Sequence, residues 1–320
     1  MIERTLAALA GSLALALAAP PPAPAQTAPS GDGLGVMRVI FFHELGHALI
    51  DEFDLPTVGP EEHVVDEFAT YMLILTEPGD RRQIEALSAA LSFWIASSER
   101  FNGTRYGEHP PNDRRGYAIA CLLYGSDPDG FRELIRELDI PQSRASRCEV
   151  EYREKREKWL RLLGPHLRRE GADGAALGVA YAPAREGSAE ATASLWRQAR
   201  FLEGLASEAS ALFALDRAIP VVGRECGFPN AFWDGERITM CYEMQQAVES
   251  ALAGPEEQDA PIATRSVSVG FGDGPAADGA EDARDDAGAP PPAAATGGSA
   301  SGSGGAPGAG PSNLNDLLGQ

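Results

Sequence analysis

His43-Glu44-Leu45-Gly46-His47 sets two imidazoles four residues apart with a carboxylate between them. On a helix, residues four apart lie one above the other on one face. Both rings can then reach a single metal ion while Glu44 projects beside it to hold a water. This spacing serves zinc-dependent hydrolysis, with Glu44 as the general base that takes a proton from water and returns it to the leaving amine. The run Val36 to Phe42 before the pair and Ala48-Leu49-Ile50 after it are apolar. They embed the histidines in a buried helix, where two imidazoles and a carboxylate cost free energy unless a metal holds them.

A hydrolytic zinc site takes three protein ligands and keeps one position open, so a further ligand is needed beyond His43 and His47. Asp54 to Pro60 reads as a turn, and Pro60 is suited to the start of a second helix running to about Thr76. Glu62, Asp66 and Ala69 then share one face. Glu62 is the expected third ligand. Asp66, one turn on, can bond the far nitrogen of a ligand histidine, and small Ala69 lets the two helices approach. Glu67, His63 and Asp66 itself compete for the ligand role on spacing alone. The plainer reading of Glu61, Glu62, Asp66 and Glu67 is a solvated acidic face that complements a helix N-terminus.

The surrounding elements read as mainly helical: Val36 to Phe53, Glu61 to Thr76, Arg81 to Ser98, Arg114 to Tyr124, Gly130 to Leu138 and Arg144 to Leu163. Strand signals come late, at Gly178 to Tyr181, Ile219 to Val222, Ala231 to Trp233 and Ile238 to Met240, with one helix from Ala189 to Leu212 among them. The expected fold class is α+β, a mainly helical domain with a small sheet and hairpin. It spans residues 31–253, with the metal-binding helices in 31–165 and the sheet and hairpin in 175–253.

Residues 1–25, with Arg4, an apolar run from Leu6 to Ala19 and Ala23-Pro24-Ala25, read as a signal peptide. Residues 254–320 are rich in Gly, Ala, Pro, Ser and Asp without apolar periodicity and read as a disordered tail. Export fits four cysteines pairing as two disulfides. Of three connectivities, Cys121 with Cys148 and Cys226 with Cys241 is the expected one, the second clamping a hairpin that turns at Asp234-Gly235. The net charge of -20 argues against nucleic acid and anionic membrane surfaces as partners. No segment after residue 25 reads as a membrane span. The chain is thus expected to be secreted or periplasmic, with a peptide or protein as its substrate; nothing in the sequence sets an oligomeric state.

The sequence resembles the zincin metallopeptidases, in the branch whose third ligand is a glutamate. More narrowly it resembles an uncharacterised bacterial metallopeptidase family. The blocks that carry this are HELGHALIDEFDLP, GPEEHVVDEFAT, EHPPNDRRGYAIACLLYGSDP, SRASRCEVEY and PNAFWDGERITMCYE. The resemblance implies zinc and peptide cleavage. It points to the third block for a donor to the developing oxyanion, where His109 is the first choice and Tyr106, Arg115 and Tyr117 are the others. Asn112 and Ala118 stand where that block is expected to carry an acidic residue and a carboxamide.

In zincins a segment like Asn230-Ala231-Phe232 and a strand like Ile238-Thr239-Met240 precede the active-site helix and align an extended substrate along the sheet edge. Here they follow it. Three explanations compete: a circular permutation in which the late segment folds back, an exchange between two chains, or a wrongly joined gene. The first is expected, because the ends of compact domains often lie close together. A second function class is a zinc-binding, zincin-like module that holds a peptide or envelope partner without cutting it.

Overall fold

The computed structural model describes residues 31–76, 81–98, 109–169, 174–185 and 187–253. The expected signal peptide, the expected tail and Tyr106 lie outside them. The fold is α+β, with a helical layer built around one central helix and a small mixed sheet.

Helix α1, Gly31–Phe53, is buried at nearly every position from Val36 to Ile50. It is long and apolar enough to cross a membrane by length and composition, but most of that stretch lies inside the fold. A helix apolar on all sides needs neighbours on all sides. Helices α2 (Glu61–Thr76), α3 (Arg81–Ser98) and α9 (Tyr242–Leu252) supply them, together with strands β3 (Ala231–Trp233) and β4 (Ile238–Cys241). Asp54 and Gly59, both at positive φ, shape the turn into α2, where Pro60 accepts the first backbone bonds. The α1–α2 contact is close at Gly46: a β-carbon there would lie 2.9 Å from Phe68 and 3.0 Å from Val65. Only glycine lets α2 come this near.

Helix α4 (Asn112–Ser126) packs between α3 and α6 (Gln142–Leu163), with the short α5 (Arg132–Glu137) between α4 and α6 in sequence. A disulfide joins Cys121 of α4 to Cys148 of α6, and a second joins Cys226 to Cys241. Asn112 donates to Ser97 Oγ and ties the start of α4 to the end of α3.

The sheet order is β1-β2-β4-β3, where β1 is Leu177–Tyr181 and β2 Ile219–Arg224. The first three strands are parallel and β3 runs antiparallel at the edge. The single helix expected from Ala189 to Leu212 is two, α7 (Ser188–Ala199) and α8 (Phe201–Leu212), broken at Arg200 with φ +50°. The break has a packing cause: α7 lies against α9 and α8 against β1, directions that one straight helix cannot serve.

The late hairpin folds back onto α1 of the same chain. Trp233 Nε1 donates to Asp51 Oδ2 at 2.5 Å, and Arg217 Nε donates to Glu52 Oε2 at 2.8 Å. Its turn is held by Asp234, whose carboxylate accepts the N–H groups of Glu236 and Arg237, with Gly235 at positive φ.

Candidate metal centre

One turn of α1 and the first turn of α2 face each other, and their polar side chains meet. His43 Nε2 lies 3.1 Å from Glu62 Oε2, and His47 Nε2 lies 3.4 Å from Glu62 Oε1. A third imidazole joins from the segment before α4: His109 Nε2 is 2.8 Å from Glu62 Oε2, with its ring stacked on His43 at 5.7 Å between centroids. Ligand atoms of His43, Glu62 and His109 all fall within 4.8 Å of one another, a spacing able to hold a metal ion.

The outer nitrogens of the two helical histidines are also held. His43 Nδ1 is 2.8 Å from Asp66 Oδ1, and Asp66 is gripped in turn by Arg115 through Nε and Nη2. His47 Nδ1 is 2.7 Å from Glu61 Oε1. Carboxylates on the far nitrogens of imidazoles fix the ring orientation and make the facing nitrogen more basic. Glu61 reads in the sequence as a helix-end acid; its neighbour position to Glu62 on the first turn is the only signal of this second use.

The charges respond strongly. Burial opposes protonation of His43, but its bonds to Asp66 and Glu62 outweigh this and raise its pKa to about 9. Burial likewise opposes a proton on His47, and Glu62 and Glu61 again win, raising it. For Glu62, burial pushes the carboxyl up, yet the bonds from His109, His43 and His47 hold it far below the usual carboxylate range. Asp66 is pressed up by burial and drawn down further by Arg115 and His43, to about 2. Glu44 differs in kind. It is buried, it makes no hydrogen bond among the described residues, and burial raises its carboxyl pKa despite the nearby His43 and His47. A carboxylate pushed toward neutrality and left untied suits proton transfer.

The competing carboxylates are engaged elsewhere. Glu67 accepts from Lys155 and from Trp159 Nε1, and Asp66 is taken up by Arg115 and the outer face of His43. His63 is exposed and lines a cavity of about 270 Å³ together with His43, Asp66 and Glu67. Ala69 is buried on α2, and Gly46 of α1 lies against Val65 and Phe68 of the same helix. Arg115 is not free to meet a substrate oxyanion, because its guanidinium is spent on Asp66 and lies over Trp94, 3.7 Å from the ring centroid. Tyr117 faces another hollow, beside Leu138 to Pro141.

At the sheet edge, Cys241 N–H donates to Asn230 and Asp234 N–H donates to Arg237. Antiparallel pairing alternates, so Phe232 is turned to β4 while the peptide groups of Ala231 and Trp233 point outward from the edge. Ala231 and Trp233, not Phe232, therefore offer backbone groups for a further strand.

No curated protein and no solved structure matches this chain. Residues 24–163 and 181–271 match a family described as "Putative metallopeptidase". The match takes in α1, α2, the segment carrying His109 and the late hairpin, and the chain belongs to that metallopeptidase family.

Proposed function

We propose that the protein is an exported zinc peptidase in which His43, His47 and Glu62 hold the metal and Glu44 is the general base. One observation carries the reading: imidazoles from successive turns of one helix meet a carboxylate of the next, with their far nitrogens already bonded to Asp66 and Glu61. Nitrogen and carboxylate donors of this kind, braced from behind, suit zinc.

Zinc, when bound, activates a water and polarises the carbonyl to be cleaved. Glu44 stands one residue from His43 with a carboxyl poised to take a proton and to return it to the leaving amine. The outward peptide groups of Ala231 and Trp233 add an extended peptide to the sheet, with Asn230 at the start of the strand. His109, half exposed above Glu62, is the donor for the oxyanion. The two disulfides fit a secreted or periplasmic location.

The test is metal content with peptide cleavage. About one zinc per chain, lost in His47→Ala and Glu62→Ala, is expected. Glu44→Gln is expected to keep zinc and to lose cleavage of a peptide library. A second reading, a zinc-binding module that does not cut, is favoured by the crowding of His109 on Glu62; it takes over if the parent binds zinc and behaves as Glu44→Gln in every peptide assay.

A further inference from the structure

Three donors and an open position define the site proposed above, yet a fourth donor stands at it. His109 Nε2 and His43 Nε2 meet the same oxygen of Glu62, at 2.8 and 3.1 Å. The ligand atoms of these three residues are mutually close enough for one ion, and His47 reaches the other oxygen of the same carboxylate. A set of four protein donors closes a zinc site, whereas a hydrolytic site keeps one position free.

The three imidazoles are not anchored alike. His43 is held from behind by Asp66 and Arg115, and His47 by Glu61. Among the described residues, His109 has no partner on its other ring nitrogen; its contacts are Glu62 and the face of His43. Its side chain is 50% exposed, against 5% for His43 and 14% for His47. Two ligands are thus fixed, and the third imidazole is held only from the front. Pro110 and Pro111 follow it directly, and Pro111 caps α4. Proline fixes φ there, so release of the ring is a side-chain rotation and needs no movement of the helix.

Resting on the zinc reading, we infer that His109 is a displaceable fourth ligand: it fills the open position of the resting metal centre and swings off when an oxygen donor, water or a group of the substrate, takes that position. The exchange is a ligand substitution without redox change. One neutral imidazole nitrogen leaves as one oxygen donor arrives, and the freed ring sits where it can donate to the oxyanion. The resting centre therefore holds no water on the metal until His109 leaves, and the position it vacates is the one the attacking water needs.

The test uses the full chain loaded with Co(II) or zinc, beside His109→Ala and His109→Gln, with folding checked by circular dichroism. Three quantities are read: the visible absorption of the cobalt form, zinc affinity by competition with a chromophoric chelator, and binding of acetohydroxamate to the metal. Both variants are expected to keep the metal with a shifted cobalt spectrum and zinc binding weakened about tenfold or more. They are expected to bind acetohydroxamate about tenfold tighter, because no ligand has to be displaced first. Spectrum, zinc affinity and hydroxamate affinity all unchanged in both variants, with metal lost in His47→Ala, would overturn the inference and leave the three-donor site standing. A parent chain that binds neither ion would remove the zinc reading itself.

Discussion

Arg115 donates to both carboxylate oxygens of Asp66, from Nε at 2.8 Å and from Nη2 at 2.5 Å. Through this grip and its stacking on Trp94, α4 and α3 support the carboxylate that orients His43. Arg115→Met leaves Asp66 enclosed without its cation and is expected to cost roughly 3 kcal/mol of stability. Arg115→Lys keeps the charge but not the fork or the flat stack, and should fall between parent and Met. Urea unfolding at constant m reads both. A loss under about 1 kcal/mol in Arg115→Met would show that water replaces the guanidinium.

The same pair sets an acid limit. The carboxyl of Asp66 falls from 3.8 in the unfolded chain to about 2 in the folded one, burial opposing and Arg115 and His43 prevailing. Its contribution, about 2 kcal/mol, is present above pH 4 and is lost as the pH falls through about 2. His43 in the metal-free protein works at the other end. Its folded pKa of about 9 exceeds the unfolded 6.5, so its contribution is complete below pH 6.5 and lost as the pH rises through 9. Stability of metal-free protein from pH 2 to 10 should form a plateau between these limits. In Asp66→Asn both slopes should flatten; an unchanged acid slope would move that limit to other carboxylates.

Glu61 braces His47 from an exposed position. Its removal should barely change folding stability, since exposed pairs contribute about 1 kcal/mol or less. Metal affinity is the sensitive readout: Glu61→Ala is expected to weaken it about 10- to 100-fold, and Glu61→Gln less because the amide still accepts a bond. Equal affinity in parent and Glu61→Ala, by chelator competition, would reduce Glu61 to a helix-end acid.

Gly46→Ala tests the helix contact behind the site. Alanine gains about 1 kcal/mol in helix propensity. Against this, a methyl at 2.9 Å from Phe68 and 3.0 Å from Val65 costs about 1–3 kcal/mol of overpacking. Packing should win, lowering Tm and drawing Glu62 away from the histidines, so that metal affinity drops with it. A raised Tm would mean that Val65 and Phe68 give way freely.

Much of the scaffold was legible because its signals are local. Pro60, the two acids after it and the apolar period up to Thr76 set α2, and Arg81 to Ser98 gave α3 on periodicity alone. The break at Arg200 was not, since neither glycine nor proline marks it; the competing directions of α9 and β1 impose it from a distance. Likewise, His43, His47, Glu62 and Asp66 share fixed helical spacings, so their meeting could be read from the chain. The role of Arg115 could not, because its partner lies 49 residues away on another helix and no local spacing links the two.

The bond from Trp233 to Asp51 joins residues 182 positions apart. All the side chains gathered on Glu62 are synthesised before residue 110, whereas the outward edge at Ala231 and Trp233 appears only after residue 230. During N-to-C synthesis the helices that carry the histidines are therefore made long before the edge strand of the sheet. The growing chain thus carries every side chain that meets Glu62 through most of its own production before β3 and β4 exist, so the order of its segments leaves the edge of the sheet among the last parts of the described fold to be made.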